Sequence, residues 1–273
     1  MVLDGKEVSN FITKQLKEEV SNLKKKGRNL ELIVFTSNDK ASEVYVKNKV
    51  KKGEELGINV RPIFANSYGT VCSVIHDTTS PFIIQEPSLI SKENINQILN
   101  LFSHRDVDGF GSDNLGKLFK GLEYISPCTP KGIISLFKFY KIPLISRKIT
   151  VIGRSNIVGR PLAALLEHED AIVTLCHSKT FKNQLHNICD DSDIIISATG
   201  QKDVLNGWKA KSNQILIDVG MNRNKDGKLC GDFSKETVES CYAYTPVPGG
   251  VGPMTVISLM ENVVDYYKKY VLN

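Results

Sequence analysis

Apolar positions in the first third of the chain follow two different spacings. Over residues 8–23 they recur about every 3.6 residues, which predicts an amphipathic helix. Continuous apolar runs predict buried strands at 30–36 and 80–87, and helical spacing predicts helices at 41–58 and 92–102. This part of the chain is therefore predicted to consist of β–α units.

The rest of the chain repeats this alternation and ends in a long amphipathic helix. Helical spacing is found at 126–140 and again at 252–271. Between them, apolar runs predict strands at 148–153, 171–180, 193–200, 214–220 and 242–247. Such alternation is typical of an open, mostly parallel sheet flanked by helices, so the predicted fold class is α/β.

The stretch VIGRSNIVGRPLAALL at 151–166 has the outline of a phosphate-binding turn. It is not a P-loop, because five residues separate Gly153 from Gly159 and no Gly-Lys-Ser/Thr follows. It has the strand, glycine turn and helix start of a dinucleotide-binding fingerprint, with Ser155 where a second glycine is usual. Backbone N–H groups at such a helix start favour an anion. The alternative is an ordinary tight loop between a strand and a helix.

The following strand lacks the acidic residue that commonly completes this fingerprint. Residues 175–180 contain no Asp or Glu to accept a hydrogen bond from an adenosine ribose, and they end in His177, Ser178 and Lys179. Arg154 adds a positive charge on the glycine turn. Donors and positive charge favour a 2′-phosphate, so the predicted cofactor is NADP rather than NAD. The alternative is a solvated polar loop.

Composition narrows the class of protein. The 273 residues suit one large or two moderate domains, and 41% hydrophobic residues is ordinary for a soluble globular protein. The net charge of +5 is spread over lysine-rich helical faces, so we expect no nucleic-acid partner, whereas a small anionic substrate would suit it.

Targeting and metal signals are not found in the sequence. The polar N-terminus is not a signal peptide, and no apolar run approaches the ~20 residues of a membrane span. The six cysteines form no CxxC pair and no Cys/His metal spacing. We therefore expect a reduced cytoplasmic protein without membrane contact and without a bound metal.

Two further segments carry candidate site residues. In YVKNK, Tyr45 and Lys49 are spaced i and i+4 beside a buried helical stripe, where both can line one cleft. The alternative for this segment is a solvated lysine run. In TPVPGGVGPMT at 245–255, three glycines follow two proline steps and can bring backbone amides close to a ligand. The alternative for this segment is a structural loop.

Five motifs together resemble those of the bifunctional methylenetetrahydrofolate dehydrogenase/methenyltetrahydrofolate cyclohydrolase family. They are YVKNK, RDVDGF, PCTPKGI, GRSNIVGRP and TPVPGGVGPMT, and the resemblance runs from LDGK at residue 3 to ENVV at residue 264. It implies oxidation of 5,10-methylenetetrahydrofolate with NADP⁺ to the 5,10-methenyl cation. It also implies hydrolysis of that cation to 10-formyltetrahydrofolate. The implied partners are tetrahydrofolate one-carbon derivatives and a second copy of the chain in a homodimer.

The resemblance assigns catalytic roles to four residues. Lys49 would transfer protons in the cyclohydrolase step with Gln85 as its polar partner, Tyr45 would pack on the pterin, and Asp108 would bind it. The implied substrate contacts are Tyr45, Lys49, Ile84, Gln85, Glu86, Asp108, Pro248, Gly249, Gly250, Val251 and Gly252. The implied cofactor contacts are Gly153, Arg154, Ser155, Gly159, Ser178 and Met221. Without the resemblance, Asp108 would be interpreted as a turn-capping residue.

The resemblance also implies a two-domain architecture. Residues 1–126 would form an N-terminal α/β catalytic domain, and residues 127–252 a Rossmann-like NADP-binding domain. The C-terminal helix 253–273 would pack back on the first domain. The folate pocket would lie in the cleft between the two domains.

The sequence departs from the family pattern at three places that border the predicted folate pocket. QEPSL at 85–89 replaces QLPLP, and the negative charge of Glu86 is expected to raise the pKa of Lys49. The segment from Gly57 to Gln85 is short, which is expected to trim a helix, and TSNDKAS at 36–42 replaces VGDDPAS. Three alternatives therefore stay open: a dehydrogenase with weak or absent cyclohydrolase activity, a non-catalytic folate- or NADP-binding homologue, and a folate-independent dehydrogenase.

Overall fold

The computed structural model describes residues 1–37 and 39–270, with only the backbone of residues 40 and 41. Asn38 of the TSNDKAS departure therefore lies outside the described residues. The chain divides into two compact units. The 10–128 unit also contains the residues from 256 onward, and the 129–255 unit also contains residues 1–9.

These groupings differ from the predicted domain bounds at the N-terminus. The backbone N–H of Leu3 donates to Tyr244 O at 2.8 Å, which ties the first residues to the 129–255 unit. The bounds 1–126 and 127–252, and the cleft between two domains, stay predictions.

The 10–128 unit is built on a three-stranded parallel sheet in the order β2-β1-β3. The strands are β1 (Glu31–Thr36), β2 (Asn59–Phe64) and β3 (Phe82–Ile84). The helices of this part of the chain are α1 (Gly5–Lys25), α2 (Lys40–Leu56), α3 (Tyr68–His76), α4 (Lys92–Leu101) and α5 (Ser112–Phe119), with a 3-10 turn at Ser103–Arg105. Phe35 and Phe82 pack edge to face with ring centroids 5.9 Å apart, and the fully buried Ile98 of α4 joins this core.

The sequence pattern did not predict four elements of this unit, which are β2, α3, α5 and the 3-10 turn. In β2, Arg61 and Pro62 interrupt the apolar run, and the strand is tolerated because it lies at the edge of the sheet. Helix α3 begins after Ser67, whose side chain accepts a hydrogen bond from Thr70 N at 3.2 Å. The segment from Gly57 to Gln85 therefore contains β2, the nine-residue helix α3 and β3.

The 129–255 unit is built on a five-stranded parallel sheet in the order β10-β7-β6-β4-β5. Its strands are β4 (Lys148–Ile152), β5 (Ile172–Cys176), β6 (Ile194–Ser197), β7 (Ile215–Asp218) and β10 (Ala243–Tyr244). A small antiparallel hairpin is formed by β8 (Asn222–Arg223) and β9 (Leu229–Cys230). The helices of this part of the chain are α6 (Cys128–Phe139), α7 (Gly159–His168), α8 (Lys182–Asp190) and α9 (Lys235–Val238).

The last helix, α10 (Val251–Tyr270), begins slightly before its predicted start at residue 253. Residues 271–273 of the predicted helix lie outside the described residues. Within the part of the chain that the structure describes, no helix has both the length and the apolar character needed to cross a membrane.

The strand order of the five-stranded sheet reverses at β4. Strand β5 lies on one side of β4, and β6, β7 and β10 lie on the other. Ligands of open parallel sheets bind outside the carboxyl ends of the strands at such a reversal. The glycine turn directly follows β4, so the fold places it at this point, and the predicted α/β class is confirmed.

Candidate active site

A lysine and a glutamine form the centre of the candidate site in the 10–128 unit. Lys49 Nζ, on α2, donates to Gln85 Oε1 at 2.6 Å, and Gln85 directly follows β3. The glutamine is fixed on both sides, because its backbone N–H donates to Phe35 O at 2.8 Å and its Nε2 donates to Glu86 O at 2.6 Å. The amide oxygen therefore faces the lysine.

The environment of Lys49 favours its neutral form more than water does. Burial lowers the pKa of Lys49 from the ordinary lysine value, while electrostatic interactions with Asp108 and Cys128 oppose that shift in part. The net pKa shift is downward. An amine in this state can both accept and donate a proton in one reaction.

Asp108 lies in a tight turn that is held by a different aspartate. The fully buried Asp106 accepts hydrogen bonds from the backbone N–H groups of Asp108 and Gly109 at 3.1 Å and of Gly111 at 2.9 Å. Asp106 is therefore the turn-capping residue, and the side chain of Asp108 is not used for that purpose. Burial raises the pKa of Asp108, whereas Lys49 and Cys128 lower it.

Sequence reasoning missed Asn262 of α10, which braces the loops beside this cluster. Its Nδ2 donates to Val107 O at 2.9 Å and to Ser126 O at 2.8 Å, and it lies 3.6 Å from Cys128 Sγ. Asn262 thus fixes the residue before Asp108 and the loop that leads to Cys128. The sequence signal was a polar residue on the apolar face of a helix, next to the buried Val263.

Glu86 does not act on Lys49 as expected. Its side chain is exposed, and Oε2 accepts a hydrogen bond from Ser88 N at 3.0 Å. The pKa of Lys49 is shifted by burial and by the neighbouring Asp108 and Cys128. The expected rise in the pKa of Lys49 from Glu86 is therefore wrong, because the carboxylate caps its own loop.

Two other predicted substrate contacts of this unit differ in exposure. Tyr45 lies one turn before Lys49 on α2 and is 37% exposed, as a ring that packs on a ligand requires. Ile84, by contrast, is 9% exposed and packs in the apolar core around Phe35.

The glycine turn of the 129–255 unit has no room for additional side chains. Gly153 has a φ of +122°, and a Cβ there would lie 2.5 Å from Ala198 O. A Cβ on Gly159, at the start of α7, would overlap Gly153 O. The oxygen of Ser155 accepts a hydrogen bond from Val158 N at 3.1 Å, so this hydroxyl shapes the turn in addition to any donor role. The tight turn at a helix start fits the phosphates of a dinucleotide.

Polar groups surround the end of β5 beside this turn. Ser178 and Lys179 are exposed, and His177 accepts a hydrogen bond on Nδ1 from Lys179 N at 3.1 Å. Arg154 is exposed on the glycine turn, and Met221 is 48% exposed just after β7. The predicted cofactor residues therefore follow the carboxyl ends of β4, β5 and β7.

The segment at 248–252 leads into the last helix. Gly249 has a φ of +113°, and Gly250 N donates to Pro246 O at 2.7 Å. Val251 and Gly252 form the first turn of α10. The contact of Pro248 and its neighbours with folate stays a prediction.

The sheet order and glycine turn of the 129–255 unit define a dinucleotide-binding protein of the dehydrogenase class. Residues 127–271 match the family model "Tetrahydrofolate dehydrogenase/cyclohydrolase, NAD(P)-binding domain". Residues 3–75 match the model "Tetrahydrofolate dehydrogenase/cyclohydrolase, catalytic domain". The chain belongs to the tetrahydrofolate dehydrogenase/cyclohydrolase family, as its motifs predicted.

Individual relatives cover nearly the whole chain. The "Bifunctional protein FolD" of Ligilactobacillus salivarius is 41% identical over 288 residues, which cover 99% of this chain and 98% of the relative. The crystal structure of the bifunctional FolD methylenetetrahydrofolate dehydrogenase/cyclohydrolase from Campylobacter jejuni is 38% identical, with a TM-score of 0.91 and 98% of each chain covered. That of Trypanosoma brucei FolD, complexed with NADP and an inhibitor, is 30% identical, with a TM-score of 0.89 and 100% and 99% covered.

Proposed function

We propose that the protein catalyses two consecutive reactions on a one-carbon unit carried by tetrahydrofolate. The first is the NADP⁺-dependent oxidation of 5,10-methylenetetrahydrofolate to 5,10-methenyltetrahydrofolate. The second is hydrolysis of that cation to 10-formyltetrahydrofolate. Both activities are named in the family models that the chain matches, and the Trypanosoma brucei relative was crystallised with NADP.

The observation that carries the second activity is the hydrogen bond of 2.6 Å between Lys49 and Gln85. It holds a lysine of lowered pKa beside Asp108. Hydrolysis of the methenyl cation needs a group that takes a proton from water and returns one to N5, and this lysine has that property.

The proposed proton route uses Lys49 twice. As a neutral amine it accepts a proton from the water that attacks the methenyl carbon. As an ammonium it then donates that proton to N5 while the bond between N5 and the carbon breaks. The remaining hydroxyl proton leaves to solvent as the formyl group forms on N10. Gln85 keeps Lys49 Nζ in place. Tyr45 packs on the pterin, and Asp108 accepts hydrogen bonds from the N–H groups of the pterin.

The proposed cofactor site needs no acid or base. NADP⁺, when bound, accepts the hydride, so the protein has to bind and orient it. The backbone at Gly153, Ser155 and Gly159 holds the phosphates, and Arg154 and Ser178 bind the 2′-phosphate. Met221 contacts the cofactor beyond β7.

The alternative of a dehydrogenase with weak cyclohydrolase activity depended on Glu86. Because the Glu86 carboxylate caps Ser88 N and does not act on Lys49, the bifunctional function is favoured. A non-catalytic homologue would not require the fixed geometry of Lys49 and Gln85.

We further propose a homodimer that acts in the cytoplasm. The edge strand β5 exposes Ile172 by 55% and Leu175 by 36%, and an edge strand with apolar side chains suits pairing with a second copy. None of the six cysteines, which all lie within the described residues, forms a disulfide bond, as a reducing compartment favours.

The test follows purified protein with 5,10-methylenetetrahydrofolate and either NADP⁺ or NAD⁺, recording NADPH or NADH and the methenyl product separately. Reduction with NADP⁺ without methenyl accumulation, corrected for spontaneous hydrolysis, is expected. Accumulation of the methenyl product would support the dehydrogenase alternative. No reduction with either cofactor would reject the proposed function.

A further inference from the structure

Two buried carboxylates of the 129–255 unit lie outside the proposed catalytic, substrate-binding and cofactor-binding residues. Asp218 ends β7, and Asp232 lies just beyond β9. Asp232 is fully buried, and Asp218 is 6% exposed. Buried carboxylates are costly unless donors surround them, so their partners indicate what they hold together.

Asp232 joins the segments that follow two neighbouring strands. Its Oδ2 accepts hydrogen bonds from Ser197 Oγ at 2.7 Å, from Thr199 N at 2.9 Å and from Thr199 Oγ1 at 2.8 Å. Its Oδ1 accepts one from Asn222 Nδ2 at 2.9 Å. Ser197 is the last residue of β6, Thr199 lies two residues beyond it, and Asn222 begins β8 shortly after β7.

Asp218 fixes the backbone at Asp232 by hydrogen bonds. Its Oδ1 accepts from Asp232 N at 2.9 Å and from Gly220 N at 2.8 Å, and its Oδ2 accepts from Phe233 N at 2.9 Å. Burial raises the pKa of Asp218 to about 6. A Cβ on Gly220 would overlap Asp232 Oδ1, and one on Gly231 would overlap Asp218 Oδ2. The two carboxylates and two glycines thus form one closely packed network.

The position of this network in the sheet indicates what it serves. The groups proposed for the 2′-phosphate follow β4 and β5, on one side of the reversal point. A dinucleotide bound across that point places its other half beyond β6 and β7. The segments 199–201 and 220–222 would therefore face the nicotinamide half of a bound dinucleotide, and Asp232 accepts hydrogen bonds from both of them.

We propose that Asp232 is a positioning residue for the nicotinamide half of the cofactor, which it orients through Thr199 and Asn222 without touching the cofactor itself. The inference rests on the proposed function. The adenosine half is held by residues outside the network, so the two halves of the cofactor should respond differently to a change at Asp232.

The test compares Asp232→Asn with the matched control Asp226→Asn, which changes an exposed aspartate of the same β8–β9 segment. Two ligands are titrated: NADP⁺, and adenosine 2′,5′-bisphosphate, which carries only the adenosine half with its 2′-phosphate. Exchange of the Thr199 amide is followed by hydrogen–deuterium exchange. Hydride transfer and hydrolysis of added methenyltetrahydrofolate are assayed separately, the second without any cofactor.

The expected result for Asp232→Asn is a selective loss. The value of kcat for hydride transfer falls about tenfold to a hundredfold, because a small misplacement of the reacting groups lowers the rate by about that factor. Exchange at Thr199 becomes about tenfold faster, because an amide oxygen accepts less strongly than a carboxylate. Affinity for adenosine 2′,5′-bisphosphate, and the hydrolysis rate, stay within about twofold of the wild type. Asp226→Asn leaves all of these values unchanged.

Other outcomes would overturn the proposal. Equal weakening of both ligands, or loss of hydrolysis, would mean that Asp232 serves only the general fold. Unchanged hydride transfer with faster exchange at Thr199 would mean that the loop does not orient the cofactor. If Asp232→Asn does not fold, Thr199→Val removes one donor to the same oxygen and must show the same selectivity in smaller degree. A wild-type protein without hydride transfer would reject the proposed function instead, and the binding and exchange data would still test the network.

Discussion

Replacing Lys49 by methionine tests the proposed proton transfer most directly. Methionine keeps most of the length and volume of the side chain but cannot take or give a proton. The neighbouring Lys51→Met is the matched control, because Lys51 lies on the same helix and is exposed. We expect hydrolysis of the methenyl cation to be lost in the first variant and kept in the second.

The magnitude follows from what Lys49 does in the site. A positioned acid or base contributes roughly 10²–10⁴-fold to rate, so hydrolysis should fall by that factor, which corresponds to about 3–5 kcal/mol in the barrier. Folding should change little. Gln85 Oε1 loses its donor, at a cost of about 1 kcal/mol for a half-buried acceptor, and removal of a partly buried charge offsets that cost.

The assay measures hydrolysis from the absorbance of added methenyltetrahydrofolate and hydride transfer from NADPH. Hydride transfer in Lys49→Met should stay within about tenfold of the wild type, because that step needs orientation and no proton. A urea titration of each variant serves as the folding control. Equal loss of both activities in a variant that unfolds like the wild type would refute the reasoning.

Changes at Arg154, Asn262, Asp106 and Ile172 each have a measurable expected effect. Arg154→Ala should weaken NADP⁺ by about tenfold while leaving NAD⁺ nearly unchanged, since only the former carries a 2′-phosphate; an unchanged ratio of the two dissociation constants would remove that role. Asn262→Ala removes the Nδ2 donor that Val107 O and Ser126 O share, so it should lower the free energy of unfolding by about 2 kcal/mol in a urea titration and weaken folate binding in calorimetry; normal folate affinity would contradict the link to Asp108. Burial raises the pKa of Asp106 to about 7, above an unfolded value of about 3.9. The protonated carboxyl group therefore stabilises the folded state fully below about pH 4, and this stabilisation is lost as the pH rises through 7. The difference in unfolding free energy between wild type and Asp106→Asn should therefore shrink from about pH 5 to about pH 7.5, and a constant difference would contradict the pKa. Ile172→Lys should convert the proposed homodimer to a monomer by light scattering, and an unaltered mass would exclude β5 as the interface.

Local patterns predicted most of the fold. Helices α1, α2 and α4 were recognised from apolar spacing, and the strands of the parallel sheet from their apolar runs. Strand β2 was missed because Arg61 and Pro62 break its run, which an edge strand allows and a central strand would not. Its pairing with β1 depends on a partner more than twenty residues away, as the register of Glu31 with Asn59 shows.

The site was predictable where one segment carries the information. The five sequence motifs predicted the family. They also predicted the pairing of Lys49 with Gln85, and the structure brings these two residues together. They could not decide which of Asp106 and Asp108 caps the turn, because both occur in one short motif. The roles of Asn262 and Asp232 could not be predicted, since their partners lie up to 155 and 35 residues away in sequence. The effect of Glu86 was predicted wrongly because charge was considered without the loop that the carboxylate caps.

The lysine and the glycine turn belong to different compact units, and this separation has an evolutionary consequence. A single codon change at Lys49 removes the proton-transferring amine and leaves the packing of Gly153 against Ala198 as it was. Substitution at Gly153 has the opposite result, because any Cβ there disturbs the turn while α2 and β3 keep their positions. Under the proposed roles, a duplicated gene of this kind can give rise to descendants specialised for either reaction by single substitutions, each in a different half of the molecule.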